Sequence, residues 1–182
     1  MKFRKMMGVT AAFLCVALAL SGCGSTDETA YRIGIVQQDE HSSLDAATQG
    51  FEDKLMELLG EENVTFDYQN AQGEQANSTT IATKFVSDGC DLILANGTTA
   101  LQSAAAATAD IPIVGTSVTD YIAAGAVNSN EKPGRNVTGV SDLAPVDQQI
   151  QLLMKLVPDT KKVGIVYCSA EPNSAYQAKL AE

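Results

Sequence analysis

The sequence predicts an α/β protein in which a parallel sheet carries helices on both faces. Four short apolar runs alternate with stretches of helical spacing over residues 31–120. The runs are almost continuously apolar, as expected of strands that are buried on both faces. The resulting β-α-β-α-β-α-β order is typical of a parallel sheet with right-handed crossovers.

The first strand and helix of this region have clear sequence signals. The strand is the apolar run Tyr31–Val36. The helix is predicted to begin in Ser42-Ser43-Leu44-Asp45, because a serine hydroxyl followed by an acid three residues later resembles a capping box. Gly60 is its predicted stop. The next predicted elements are strand Val64–Tyr68, helix Gln75–Ser87, strand Leu92–Ala95, helix Leu101–Ala109 and strand Ile111–Val114.

The alternation breaks after Asp120. Asn128–Asn136 is polar and contains Pro and Gly, which predicts a loop. After it we predict strand Val137–Val140, helix Val146–Val157, a buried strand Lys162–Cys168 and helix Ala175–Ala181. A single βα unit with one preceding helix cannot close a hydrophobic core, so we expect a second lobe that is truncated.

The N-terminus predicts an export signal. Lys2, Arg4 and Lys5 precede an apolar run that is shorter than the roughly 20 residues needed to span a bilayer. The run ends in Leu20-Ser21-Gly22-Cys23, which resembles the lipobox of bacterial lipoproteins, where the cysteine is acylated. An ordinary signal peptide or an uncleaved anchor is the alternative. We therefore divide the chain into a signal peptide (1–22), a lipidated tether (23–30), an N-terminal lobe (31–136), a hinge region (137–145) and the start of a second lobe (146–182).

The composition disfavours several classes of function. The formal net charge is −10, which would repel phosphate backbones, so we expect no nucleic-acid partner. The chain has one His and no Gly-x-Ser-x-Gly motif, P-loop or Cys-x-x-Cys. We therefore expect no catalytic residue, no metal site and no cofactor. Cys90 and Cys168 each lie beside an apolar run and are expected to be buried, inert thiols.

The strand ends predict a small-molecule site instead. Two predicted strands stop at clusters of glycines and hydroxyls, Asn96-Gly97-Thr98-Thr99 and Gly115–Asp120. The carboxyl ends of parallel strands are where such sheets bind ligands. Helix N-termini there could hold a carboxylate, and nearby acids could hold an ammonium group, so an α-amino acid would fit. The alternative is that each hydroxyl only caps a helix. The hydroxyls are Thr98, Thr99, Ser117 and Thr119, and the acids are Asp120, Asp142 and Glu171.

Five stretches carry a family resemblance. IGIVQQDEHSSLDAATQGF, DLILANGTTALQSA, IPIVGTSVTD, NVTGVSD and VGIVYCSAEPNSAYQ resemble the tryptophan/tyrosine-type substrate-binding lipoproteins of ABC transporters. The resemblance implies a two-lobed periplasmic-binding-protein-like fold with parallel doubly wound sheets. It places the ligand contacts at His41, Leu44, Asp45, Thr98, Thr99, Ser117, Thr119, Asp120, Ser141, Asp142, Ser169, Glu171, Asn173 and Ser174.

The resemblance also implies a function. The protein is expected to be the extracytoplasmic, lipid-anchored and monomeric binding component of an ABC importer on the bacterial cell membrane, with a permease and its ATPase as partners. The expected ligand is an aromatic or hydrophobic amino acid, and the protein itself is not expected to be an enzyme. The alternatives are a ligand-sensing domain of the same fold, a binding protein for a sugar or nucleoside, and a lipoprotein enzyme.

Overall fold

The computed structural model describes residues 30–182. The predicted signal peptide, the lipidated Cys23 and all of the tether except its last residue lie outside the described residues. The elements are β1 (Tyr31–Gln37), α1 (Ser42–Leu59), a single 3₁₀ turn (Glu61–Asn63), β2 (Val64–Asn70), α2 (Gln75–Ser87), β3 (Leu92–Asn96), α3 (Thr98–Ala107), β4 (Ile113–Val118), β5 (Val137–Ser141), α4 (Val146–Leu156) and α5 (Pro172–Leu180).

The five strands form one sheet in the order β2-β1-β3-β4-β5, and every neighbouring pair is parallel. This confirms the predicted α/β class and the order of its first seven elements. Because the strands are parallel, all of their carboxyl ends lie along one side of the sheet. We call this side, including the residues that directly follow each strand, the carboxyl edge.

Helices cover both faces of the sheet, as the apolar strands predicted. Ile35 and Leu94 belong to a cluster that packs against Phe51 of α1. Alternate residues of the same strands point to the opposite face, where the cluster includes the fully buried Phe85 of α2 and several residues of α3. Gly34 of β1 makes this packing possible, because a Cβ there would lie 2.6 Å from the Phe85 ring.

Helix α1 begins where predicted, but its cap differs from the prediction. The Nδ1 atom of His41 accepts a hydrogen bond from the Ser43 backbone N–H at 3.2 Å. The capping role therefore belongs to the residue before the two serines. The predicted capping box is wrong because the Asp45 carboxylate bonds to Gln37 in the neighbouring strand instead.

The prediction of a buried strand at Lys162–Cys168 is also wrong. This segment forms no strand, and its residues are exposed, including Val166 and Tyr167. A strand needs a neighbour to receive its backbone hydrogen bonds, and no strand among residues 30–182 pairs with it. Cys168 is consequently exposed, contrary to expectation, whereas Cys90 is buried.

Strand β5 joins the sheet through an irregular register beside Tyr121. The pairing of β4 with β5 shifts between Gly115 and Val118. The Tyr121 side chain occupies the irregularity and donates a hydrogen bond from its hydroxyl to the Val140 carbonyl at 3.0 Å. A Cβ at Gly115 would lie 2.6 Å from that hydroxyl, so this position needs glycine. Burial raises the pKa of Tyr121 to about 12.

Residues 137–145 were predicted to form the hinge region. Val137–Ser141 is the edge strand of the five-stranded sheet, so the first part of this region is anchored to the N-terminal lobe. The hinge and the lobe boundaries stay predictions. Within residues 30–182, no helix combines the length and the apolar character that a membrane crossing requires.

The raised pKa of Tyr121 predicts a loss of stability at alkaline pH. Its folded pKa of about 12 lies above the ordinary value of 10.0, so the neutral phenol stabilises the fold below pH 10. That contribution is lost as the pH rises through the folded pKa. We expect the melting temperature of the wild type to fall more steeply between pH 10 and 12 than that of Tyr121→Phe, as measured by circular dichroism.

The matched control is Tyr31→Phe, because Tyr31 is 51% exposed. This variant should keep the wild-type dependence on pH. Equal slopes for the wild type and Tyr121→Phe would contradict the prediction.

Candidate ligand-binding site

A network of buried amide and hydroxyl groups lies under the carboxyl edge. Gln37, Thr48 and Asn96 are each at most 5% exposed. The Gln37 Oε1 atom accepts hydrogen bonds from Thr48 Oγ1 at 2.8 Å and from Asn96 Nδ2 at 3.4 Å. Asn96 Nδ2 also donates to Thr48 Oγ1 at 2.9 Å. These bonds tie the ends of β1 and β3 to helix α1.

The same network positions the first turn of α1, which holds three of the predicted site residues. Gln37 Nε2 donates to the Asp45 carboxylate at 2.7 Å, and Asn96 Nδ2 donates to the Leu44 carbonyl at 2.7 Å. His41 is exposed at the N-terminus of the helix. Asp45 lines a cavity of about 270 Å³. The predicted ligand contacts Thr98, Thr99 and Thr119 do not line this cavity. The other lining residues are Gln37, Thr48, Gln49, Glu52 and Tyr68.

The N-terminus of α3 carries an unsatisfied buried hydroxyl. Gly97 has a φ of +110°, which lets the chain turn directly from β3 into the helix. Thr98, the first helical residue, is 3% exposed, and its Oγ1 atom has no hydrogen-bond partner among the described residues. The N–H of Thr99 donates to Gln38 Oε1 at 3.0 Å. The prediction that both threonines lie at the carboxyl edge is therefore confirmed by the geometry.

The end of β4 brings the next predicted residues to the same edge. Ser117 has a φ of +55°, a left-handed conformation that costs a non-glycine residue about 1–2 kcal/mol. Thr119 is 5% exposed, and its carbonyl accepts a hydrogen bond from the Ser141 hydroxyl at 2.7 Å. The Asp120 carboxylate accepts from the Ala123 N–H at 2.6 Å and so caps the turn after β4.

Thr119, Asp120 and Ser141 line a cavity of about 240 Å³ between the ends of β4 and β5 and the loop that follows Val127. Its other lining residues are Tyr121, Val127, Asn130, Pro133, Val137, Thr138, Gly139 and Leu143. Asp142 follows β5 and is exposed. The structure thus joins Thr119, Asp120 and Ser141 in one cavity, whose lining does not include Thr98 or Asp45.

The start of α5 approaches the carboxyl edge from the C-terminal segment. Gln38 Nε2 donates to Glu171 Oε1 at 3.4 Å, and the Ser174 hydroxyl donates to Glu171 Oε2 at 3.1 Å. Gln177 Nε2 donates to Thr119 Oγ1 at 3.5 Å. Helix α5 therefore brings Glu171 and Ser174, both predicted site residues, to the same edge.

Two further predicted residues lie beside these contacts. The Oδ1 atom of Asn173 is buried and has no hydrogen-bond partner among residues 30–182. Ser169 is exposed in the turn before α5. The negative charge of Asp120 raises the pKa of Tyr176, and partial burial and a hydrogen bond to the same carboxylate add to that rise.

Sequence reasoning missed several polar residues that shape the site. Gln37, Gln38 and Asn96 directly end or follow strands, so the logic that selected the threonines could also have selected them. Tyr176 and Gln177 lie two and three residues after Ser174 in α5, and no sequence signal distinguished them. In the part of the chain that the structure describes, no three His, Cys, Asp or Glu residues are grouped so that they could hold a metal ion.

A parallel α/β sheet with polar groups converging on its carboxyl edge defines a class of protein that binds small molecules. The family model described as ABC transporter substrate binding protein matches residues 32–182. The chain belongs to this family, whose members are extracytoplasmic binding proteins.

Three relatives illustrate the similarity. The Tyrosine-binding protein of Clostridioides difficile (strain R20291) is 40% identical over 97% of this chain and 55% of its own length. An ABC domain in complex with L-Trp from Streptococcus pneumoniae is 38% identical, with a TM-score of 0.79 over 84% of this chain and 52% of that one.

The third relative is a ligand-free, open structure of a substrate-binding protein with adhesive properties from Clostridium difficile. It is 44% identical, with a TM-score of 0.67 over 82% of this chain and 51% of that one. The chain thus spans about half the length of the relatives that it matches.

The buried network predicts strong coupling between its members. Gln37→Leu would leave Thr48 and Asn96 without a shared acceptor, at a cost of about 1–3 kcal/mol for each buried group left unpaired. Asn96→Leu should cost a similar amount. Both changes break the Gln37–Asn96 bond, and each removes a partner of Thr48. The double variant should therefore lose less unfolding free energy than the sum of the two losses, as measured by urea denaturation.

Gln49→Leu is the control, since Gln49 is exposed and its side chain bonds to Asp53 of its own helix. It should change the free energy of unfolding by less than about 0.5 kcal/mol. Strictly additive losses for Gln37→Leu and Asn96→Leu would refute the shared network.

Proposed function

We propose that this protein is the extracytoplasmic solute-binding component of an ABC importer and that its ligand is an aromatic amino acid such as tyrosine or tryptophan. The observation that carries the proposal is the buried hydroxyl of Thr98 at the N-terminus of α3, which has no hydrogen-bond partner among residues 30–182. Two relatives, one a tyrosine-binding protein and the other in complex with L-Trp, support the choice of an aromatic side chain.

The α3 N-terminus is suited to the ligand carboxylate. The first N–H groups of a helix lack partners within it, and its dipole places partial positive charge there. Thr98 Oγ1 would donate an additional hydrogen bond. Hydrogen bonds to a charged group contribute about 1.5–3 kcal/mol each, so three or four would supply much of the roughly 8 kcal/mol of micromolar binding.

The acids at the carboxyl edge are suited to the ligand ammonium group. Asp120, Asp142 and Glu171 are the candidates. One oxygen of Asp120 is bonded to the turn that follows β4, and the ammonium group would share the carboxylate with Tyr176. Tyr176 lies beside Asp120 and would offer its ring to the ligand side chain, which supports aromatic ligands in a chain without Trp.

Binding would involve closure of two lobes around the hinge at residues 137–145. The ligand contacts would be His41, Leu44, Asp45, Thr98, Thr99, Ser117, Thr119, Asp120, Ser141, Asp142, Ser169, Glu171, Asn173 and Ser174.

The whole protein would be exported and anchored to the membrane by a lipid. Residues 1–22 would be removed as a signal peptide, and acylated Cys23 would anchor the monomeric protein to the bacterial cell membrane. The closed form would be presented to a permease and its ATPase. The protein would bind its ligand without chemical change, in keeping with its membership of a family of binding proteins.

A thermal-shift screen of the full-length protein tests the ligand class. The twenty amino acids, several sugars and several nucleosides are compared at equal concentration. A ligand raises the melting temperature by mass action, so tyrosine or tryptophan should give the largest increase. A flat response to amino acids together with an increase caused by a sugar or nucleoside would overturn the assignment.

Thr98→Val should weaken ligand binding without lowering the stability of the ligand-free protein. The change removes an unpaired buried hydroxyl at nearly constant volume, so the ligand-free protein should keep or gain unfolding free energy. Binding of tyrosine or tryptophan should weaken about 10-fold or more, because a hydrogen bond to the ligand carboxylate is lost. Calorimetric titration measures the dissociation constant, and urea denaturation measures the stability.

Thr80→Val is the matched control, because Thr80 is exposed in α2 and its hydroxyl bonds to the Ala76 carbonyl. Its affinity should equal that of the wild type. If Thr98→Val bound the ligand as tightly as Thr80→Val, the carboxylate would not lie at this helix.

A further inference from the structure

Gln38 contacts two helix N-termini at once. Its Oε1 atom accepts the hydrogen bond of the Thr99 N–H at the start of α3 at 3.0 Å. Its Nε2 atom donates to Glu171, the residue directly before α5, at 3.4 Å. Residues 38 and 171 are 133 positions apart in sequence, so this contact joins the end of β1 to the C-terminal segment.

The backbone of Gln38 is fixed on both sides. Its N–H donates to the Asn96 carbonyl, and its carbonyl accepts from the Gly73 N–H, each at 2.8 Å. The side chain lies against Gly97, where an added Cβ would come within 2.6 Å of both Cβ and Oε1 of Gln38. The carboxamide is therefore held in place by packing as well as by its two hydrogen bonds.

The chemistry of these two contacts requires a carboxamide. The helix N-terminus needs an acceptor, and the Glu171 carboxylate needs a donor. A glutamate at position 38 would satisfy the helix but would place two carboxylates against each other. An aliphatic residue would satisfy neither partner.

We propose that Gln38 is a positioning residue that holds the C-terminal segment against the carboxyl edge through Glu171. It determines the separation of the α3 and α5 N-termini, and therefore the width of the cleft in which the ligand is proposed to bind. Gln38 joins the end of β1 to the residue before α5, so this role does not depend on which ligand binds. Its effect on affinity rests on the proposed function.

Amide hydrogen exchange of the ligand-free chain tests the bridge. In Gln38→Glu, the amides of α5 should exchange at least about fivefold faster, because the bond to Glu171 is replaced by repulsion. The amides of α3 should keep their protection, because a carboxylate also stabilises a helix N-terminus. A general loss of structure would instead speed exchange in both helices.

The second substitution Glu171→Gln provides the rescue. In Gln38→Glu/Glu171→Gln the donor and acceptor are exchanged, so the protection of α5 should return to within about twofold of the wild type. Gln72→Glu is the matched control, since it makes the same change of charge at an exposed turn. It should leave the exchange of both helices unaltered.

Three results would overturn the bridge: unchanged exchange of α5 in Gln38→Glu, equal acceleration in α3 and α5, or no recovery in the double variant. Titration of the full-length protein with tyrosine or tryptophan is a separate readout. The dissociation constant should rise in Gln38→Glu, because the cleft would change its width. If neither amino acid binds the wild type, the proposed function fails while the exchange results still decide the role of Gln38.

Discussion

The buried network of Gln37, Thr48 and Asn96 is the constraint on which the carboxyl edge depends. Buried amides and hydroxyls must find partners within the protein, and here each of the three is a partner of the others. These bonds hold the ends of β1 and β3 in a fixed position relative to the first turn of α1. That arrangement fixes the backbone at the two residues that follow the strands, Gln38 and Gly97, and so places the α3 N-terminus.

The two edges of the sheet differ in how completely their polar groups are satisfied. At the amino edge, Arg32 bonds to Asp91 and to the Asp88 carbonyl, and Asn136 bonds to two carbonyls. Four buried side-chain oxygens have no hydrogen-bond partner among residues 30–182. Two of them, in Asn96 and Thr98, lie at the carboxyl edge, and a third, in Asn173, lies in α5, which approaches that edge. The strained backbone of Ser117 lies at this edge too. Local violations of this kind are expected where a fold is arranged for a ligand rather than for stability alone.

The helices and strands that could be predicted from the sequence are those with a pattern in their own residues. Apolar runs and helical spacing identified β1 to β5 and the helices between them, because burial on both faces leaves a clear pattern. Lys162–Cys168 carries the same pattern but forms no strand, since pairing depends on a neighbour that a pattern cannot supply. The threonines after β3 and β4 were predictable from strand ends. Gln38 and Glu171 were not predictable as a pair, because the contact depends on how distant segments pack.

Several residues predicted as ligand contacts already serve contacts between the sheet and α5. Thr119 accepts from Gln177, Asp120 faces Tyr176, and Glu171 accepts from Gln38. A ligand in this cleft must therefore share or replace these bonds instead of simply adding to them. Its net affinity would then reflect the difference between two sets of hydrogen bonds, and only a ligand that makes better bonds than the side chains do would favour the proposed closed state. Under the proposed function, selectivity for a zwitterion would be linked to closure, because a zwitterion can satisfy a helix N-terminus and a carboxylate at the same time.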